Sequence, residues 1–446
     1  MSWLLGVVLV LGVMILVHEL GHFAMARFFK VRVDVFSIGF GPRLFGWKRG
    51  ATDYRLSALP LGGYVRMAGQ DLSEIDSGMQ APTGAPDELM SKPRWQRALI
   101  SFAGPAVNLV FPVLLLIGFY SIKGEPYYAY LDQPLKVSGL SAKATPDITP
   151  FRVGDVVLSI GGIQNPTWEQ AERLLSESAA GTRIPVEMEN SGGRRDGDLK
   201  VPAKDSEQFT QVLGYAPILP VVDEVSPGYP ADRAGLQVGD RITAVNGQPI
   251  HLWGQFVDTV RSSGGSPVSI EIERKGQPIK VSVTPQKEPT PRGDSLYVIG
   301  VSMREDFRYK NMPFSQAVSI AGVKTLETIS GTVSIVGKLV SGQVSIKQLQ
   351  GPVGISSEAS KAVKKGSLSV ISLMVLISVN LGILNLLPIP ILDGGNILLL
   401  AIEGGLRRDL SITFKERYIQ VGLVFLLVLF AIVMYHDVLR RLPSHS

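Results

Sequence analysis

The sequence predicts a polytopic α-helical membrane protein of about four transmembrane helices, with membrane-dipping β-strands and a large inserted α/β region. Three observations predict it. Hydrophobic residues fill 45% of the 446 positions, and a mean hydropathy of +0.21 is high for a soluble chain. The apolar residues gather into a few long runs, near the length that crosses a bilayer. Between the second and third runs, from 126 to about 350, hydropathy falls to that of soluble protein.

The net charge of +5 suits a membrane protein whose Lys and Arg collect in cytoplasmic loops. No basic stripe or known module points to nucleic acid as a partner. There is no cysteine, so a disulfide scaffold and a thiolate metal site are excluded. Any metal must be held by His and carboxylate.

The first run begins at residues 3–17 and continues to Phe29. Its N-terminal side is uncharged and its basic residues, Arg27 and Lys30, follow it. A signal peptide has the opposite order, so residues 1–30 are expected to be a retained span with its N-terminus outside. Residues 31–97 carry nine Lys and Arg, among them Arg32, Arg43, Lys48 and Arg97. The segment is therefore expected to be cytoplasmic. Within it, Tyr54 to Met67 alternates like strands around Pro60 and Gly62-Gly63, which predicts a strand pair dipping toward the membrane. Irregular backbone at that depth survives only against protein or a wet cavity. Residues 70–91 read as a loop. The second span covers 98–125 and opens with Gly104-Pro105 and Asn108. The third run, 367–403, is too long for one straight helix and is interrupted by Pro388 and Pro390. A basic loop and the fourth span fill 404–446. Four spans put both termini and the large insert outside.

The insert contains a repeat. Phe151 to Ile163 echoes Leu236 to Gln248, with Asp155 and Asp240 lying 85 residues apart. In the second copy Asn246-Gly247 marks a tight hairpin after a buried strand. Both copies resemble the PDZ domains of bacterial proteases, over 126–213 and 214–304. Such domains bind extended peptide at a sheet edge; a size filter or spacer is the other role open to them. Residues 305–366 are expected to form an amphipathic helical region near the outer membrane surface; a plain packed helix is the other reading open to it.

The chemistry is concentrated in His18-Glu19-Leu20-Gly21-His22. His residues four apart on a helix share one face and can reach one zinc. Glu19, beside them, can accept a proton from the attacking water. Chance motifs of this kind are common. Here, however, two of only five His lie in it, and idle ionisable groups are disfavoured in a membrane helix. A catalytic zinc keeps three protein ligands and an open position. No His lies between 22 and 251, so the third ligand is expected from another span. Asp393 is the only acid between Glu358 and Glu403. A helix cap before Gly394-Gly395 is its other reading, and the two are compatible.

These residues carry a specific resemblance. HExGH in the first span, Asn385-x-x-Pro388-x-Pro390-x-Leu-Asp393-Gly-Gly in the third run and two PDZ-like domains between look like the site-2 family of intramembrane zinc metalloproteases, in its two-PDZ, regulator of sigma-E type. The likeness extends to Phe36–Gly41, Pro60–Val65, Gly104-Pro105 and Gly351-Pro352. It implies one Zn²⁺ per chain on His18, His22 and Asp393, with Glu19 as general base. It implies substrate contacts from Asn380, Asn385, Pro388 and Pro390, and from a strand clamp that includes Gly62, Gly63 and Tyr64. It implies a bacterial inner-membrane enzyme with periplasmic PDZ domains and a site near the cytoplasmic side. Its partners would be single-pass substrates such as anti-sigma factors or remnant signal peptides, the lipid bilayer, and a site-1 protease that cuts first. One departure is Asn396, where the family commonly has His after LDGG. A membrane scaffold binding partners through PDZ domains is the competing reading.

Overall fold

The computed structural model describes residues 2–439 apart from 71–82, 142–143, 205, 207–208, 210, 290–294, 305 and 344–350. Most of the loop expected over 70–91 lies outside the described residues. The chain forms two compact units. The first joins residues 1–125 to 310–439, and the second is built from 126–309.

The first unit contains seven helices among its described residues. These are α1 (Ser2–Phe28), α2 (Arg94–Lys123), α3 (Phe314–Val340), α4 (Pro352–Lys365), α5 (Ser367–Asn385), α6 (Asp393–Leu406) and α7 (Ile412–Leu439). Three stretches of helix, Arg94–Lys123, Ser367–Asn385 and Thr413–Val438, are long and apolar enough to cross a membrane. α1, the expected first span, is one unbroken helix of 27 residues. α2 holds two internal prolines, Pro105 and Pro112, and ends on Gly124 at φ +85°, whose N–H donates to the Tyr120 carbonyl. The single third span expected over 367–403 divides into α5 and α6. Pro388 and Pro390 cannot continue a helix ladder, and Ile391 between them and α6 adopts a φ of 80°.

The helices meet through small residues. Gly382 on α5 sits against Pro105 and Leu109 of α2, where a Cβ would be crowded. Leu116, Phe119 and Tyr120 of α2 pack on Ala317 and Ala321 of α3 and Val375 of α5. Of the two readings open to α3, its packing on α2 fits the packed one. α3 buries Ala317, Ala321, Thr325 and Thr332 and exposes Leu326, Val333, Ile335 and Val340. Small groups inward and large apolar groups outward is the arrangement suited to lipid, where close backbone approach drives association. α7 likewise exposes Val421, Val424, Leu427 and Val428.

The strand pair expected inside 54–67 is replaced by a larger sheet. Residues 54–67 belong to one long strand, β2 (Thr52–Met67), which pairs antiparallel with β1 (Val33–Arg49). Both strands bend. Residues 33–38 of β1 pair on one side with 63–67 and on the other with 53–56, while 43–49 pair with 52–57. The order of segments is thus 63–67, 33–38, 53–57, 43–49.

The second unit holds two modules with separate cores. One draws on Leu135, Val157, Ile160, Trp168 and Leu199, the other on Val222, Ile242, Val245, Trp253 and Ile270. Each has a four-stranded antiparallel sheet, spanning 156–200 and 241–283, and one ten-residue helix, Trp168–Glu177 or Trp253–Ser262. The 85-residue offset carries through the structure: Tyr130 and Tyr215, Trp168 and Trp253, Asp155 and Asp240 hold matching places. Tyr130 donates to Glu172 and Tyr215 to Asp258, each on its module's helix. Ser141 also donates to Asp258, so the first module is tied to the helix of the second.

Candidate metal centre

Two glycines bring the site together. α1 and α2 cross at Gly21 and Gly104. A Cβ on Gly21 would strike the Ala103 carbonyl, and one on Gly104 would strike the His22 ring and the Cε1 of His18. The backbone of α2 thus forms one wall of the site and presses directly on both imidazoles. His18 and His22 are buried, at 8% and 9% exposure.

The third wall comes from the start of α6. Gly394 and Gly395 pack against the carbonyls of Leu386 and Ile389 in the broken segment, and only a missing Cβ permits this. The turn delivers Asp393 to both histidines. Its carboxylate oxygens lie 3.2 Å from His18 Nε2 and 3.4 Å from His22 Nε2. The two Nε2 atoms are 3.2 Å apart. Ligand atoms at about 2.0–2.1 Å from a tetrahedral zinc are about 3.3 Å from one another. Two imidazoles and a carboxylate are also a donor set of catalytic zinc. The residues fit the ion. His22 Nδ1 lies 2.8 Å from the Ile100 carbonyl and donates to it, which leaves Nε2 as a lone pair aimed at the cluster.

Glu19 stands beside the cluster, and the Val65 N–H of β2 donates to its carboxylate. Gly63 faces the Glu19 side chain and the Ser37 carbonyl, so β2 passes along the site at close range. Tyr64 is half-buried and stacks on Phe40 with ring centres 6.2 Å apart, and the Phe40 ring covers Gly62. Asn385 closes α5 with its Nδ2 3.5 Å from His18 Nε2. Pro388 and Pro390 shape the break between α5 and α6, and Pro390 also meets Gly422 of α7. Asn380 turns elsewhere: its Oδ1 accepts from Thr332 of α3 at 3.0 Å.

A cavity of about 240 Å³ opens from Glu19, His22 and Asp393. Its polar lining includes Arg97, Ser101, Asn396 and Lys415. Arg97 and Lys415 close on Glu403, which is fully buried and receives Lys415 at 3.1 Å and the Leu410 N–H at 3.0 Å. Arg94 pairs with Asp409 at 2.8 Å and holds that carboxyl below its ordinary range. In the sequence Arg94, Arg97 and Lys415 stand out only as basic residues of segments expected to be cytoplasmic. Asn396, where a histidine was expected from the resemblance, lines this cavity.

The whole-chain comparisons agree with the geometry. The model of peptidase family M50 matches residues 6–429. The regulator of sigma-E protease RseP of Escherichia coli K12 is 32% identical, with 97% of each chain covered. The protein of the same name from Salmonella typhimurium 14028s is 34% identical over the same shares. A putative zinc metalloprotease of Vibrio cholerae is 29% identical, again over 97% of each. With HExxH histidines and a distant aspartate converging in a bundle of apolar helices, the chain belongs to peptidase family M50, as a zinc metalloendopeptidase of the site-2 protease type.

Proposed function

We propose that this protein cuts single-pass transmembrane proteins within the bilayer, as one step of regulated proteolysis. The observation that carries the reading is the convergence of His18, His22 and Asp393, with ligand atoms all within 4.8 Å of one another, beside Glu19 in helices built for lipid. His18, His22 and Asp393 would hold one zinc per chain, which would supply Lewis acidity to the attacking water and the scissile carbonyl. Glu19 takes the proton of the attacking water and returns it to the leaving amine. α1 is then a crossing helix with the site near its cytoplasmic end, and the cavity lined by Arg97 and Lys415 is the route for water.

A substrate helix hides its peptide bonds, so it must unwind before cleavage. Gly62, Gly63 and Tyr64 on β2 offer strand pairing to the freed amides. Asn385 adds an amide beside His18, and the break at Pro388 and Pro390 leaves room for an extended segment. The Asn380–Thr332 bond gives Asn380 a structural occupation instead.

The second unit reads as two PDZ domains in the periplasm, at 126–213 and 214–304, that admit substrates already trimmed by a site-1 protease. Anti-sigma factors and remnant signal peptides are the substrate class that fits, and the likeness to regulator of sigma-E proteases supports the first. Purified protein carrying Glu19→Gln should keep its zinc and lose cleavage of a model single-pass substrate. Full activity in that variant would overturn the reading. Deleting 126–304 should admit untrimmed substrates, and unchanged selectivity would remove the filter role.

A further inference from the structure

Asn108 is buried completely, in the apolar interior of α2. An asparagine there must use its amide or lose free energy. Its side chain reaches one partner: Nδ2 lies 3.1 Å from His18 Nδ1. Its Oδ1 is buried without a hydrogen-bond partner. Its backbone is pinned independently, because Ser378 of α5 donates to the Asn108 carbonyl at 2.8 Å.

His22 and His18 differ in one respect. The Ile100 carbonyl can only accept, so it forces the proton of His22 onto Nδ1 and frees Nε2. An amide can face Nδ1 with either end. Rotation of the Asn108 amide by half a turn brings the orphaned Oδ1 onto Nδ1 at the same place. It then accepts from Nδ1–H, and the Nε2 of His18 is left as a lone pair facing Asp393 and His22. A metal-binding imidazole needs this tautomer, and groups that fix it are worth about 10–100-fold in metal affinity.

We propose that Asn108 is a positioning residue for the metal centre, setting the His18 tautomer through its amide oxygen. The inference rests on His18, His22 and Asp393 holding zinc. It assigns Asn108 no contact with substrate.

The test is zinc affinity of the detergent-solubilised full chain, read by competition with a chelator, with the visible spectrum of the Co²⁺ form as second readout. Asn108→Leu keeps the volume and removes the acceptor. It should weaken zinc binding by about 10–100-fold and change the Co²⁺ bands. Asn108→Asp keeps an acceptor and should bind zinc within about threefold of the parent or tighter. Ser378→Ala disturbs the α2–α5 contact without touching the amide, and should leave both readouts unchanged. Equal zinc affinity in the Leu variant and the parent overturns the proposal. So does an Asp variant as weak as the Leu variant, or a Ser378→Ala loss of the same size, since packing alone would then explain the effect. If the Leu variant does not fold, Asn108→Ala, which also removes the acceptor, takes its place with the same expected loss and the same overturning result. A parent chain that binds no zinc would sink the metal assignment itself, a separate failure.

Discussion

Both units of this protein enclose aspartates, and one of them, Asp393, is treated unlike the rest. In the first repeat module Asp155 is fully buried and every oxygen is answered. Oδ2 accepts from Arg195 at 2.6 Å and from the Arg152 N–H at 2.7 Å, and Oδ1 accepts from Asn190 at 2.6 Å. Asp240 in the second module repeats the pattern, with Arg274 reaching both oxygens and the Gln237 N–H reaching one. The backbone donors sit at the 85-residue offset, but the arginines do not: Arg195 and Arg274 come from different sheet positions. The physical demand, a guanidinium for a buried carboxylate, is kept while the residue that meets it shifts. Asp393 is different. It is half-buried and faces two imidazoles and Glu19. A fold that gives its buried aspartates arginine or backbone partners gives this half-buried one two imidazoles.

The contrast can be broken at several points, and the largest effect is catalytic. Glu19→Gln should reduce turnover by about 10²–10⁴-fold, the range of general acid–base assistance, with zinc content unchanged. Loss of zinc alongside activity would instead make Glu19 a ligand. Next, Asp393→Ala should release zinc during dialysis yet leave the melting temperature in chelator close to that of the parent. Asp155→Ala should do the reverse. It strands Arg195 and the Arg152 N–H, and should cost the first module about 3 kcal/mol in urea unfolding, with zinc retained. Equal stability losses in the two variants would erase the distinction drawn here.

Gly104→Ala probes the wall between the helices. Its Cβ lands on His22, so zinc affinity should fall at least about tenfold. The smallest expected effect lies in the second unit. Burial and the neighbouring Asp258 push the Tyr215 hydroxyl up to about 12. An acid raised on folding stabilises below its unfolded value, and that stability is lost as pH climbs through the folded one. Urea midpoints of the parent should therefore drop between about pH 10 and pH 12, and Tyr215→Phe should flatten that slope. An equally steep slope in the variant would assign the loss to another group.

Sequence exposed the metal cluster because charge is rare in apolar runs. His18, Glu19, His22 and Asp393 each stand out against their neighbours for that reason alone. Gly104 appeared only within a motif, and its reason, the imidazoles pressed on its Cα, needs two helices in contact. Asn108 was visible in the second span, but its partner lies 90 residues away. Glu403, Arg97 and Lys415 likewise meet only after α2, α6 and α7 assemble. The sheet was under-read because 33–49 mixes glycine and arginine with its apolar residues, which blurs alternation. Whether α3 lies on a surface or packs stays open in the sequence because its apolar residues alone fit both; its small residues turn out to be the buried ones.

The crossing at Gly21 and Gly104 has a mechanical consequence. Two helices that touch backbone to backbone leave no side chains to repack, so neither can rock against the other without a clash. His18 and His22 therefore travel as fixed fittings on a single rigid beam. Asp393 is hung from the other side, at the first residue of α6, just past a segment that two prolines have unhooked from helical pairing. If the centre tightens or slackens as a peptide is threaded past it, the slack is in that suspension, and the ruler to watch is the spacing from Asp393 to the histidines.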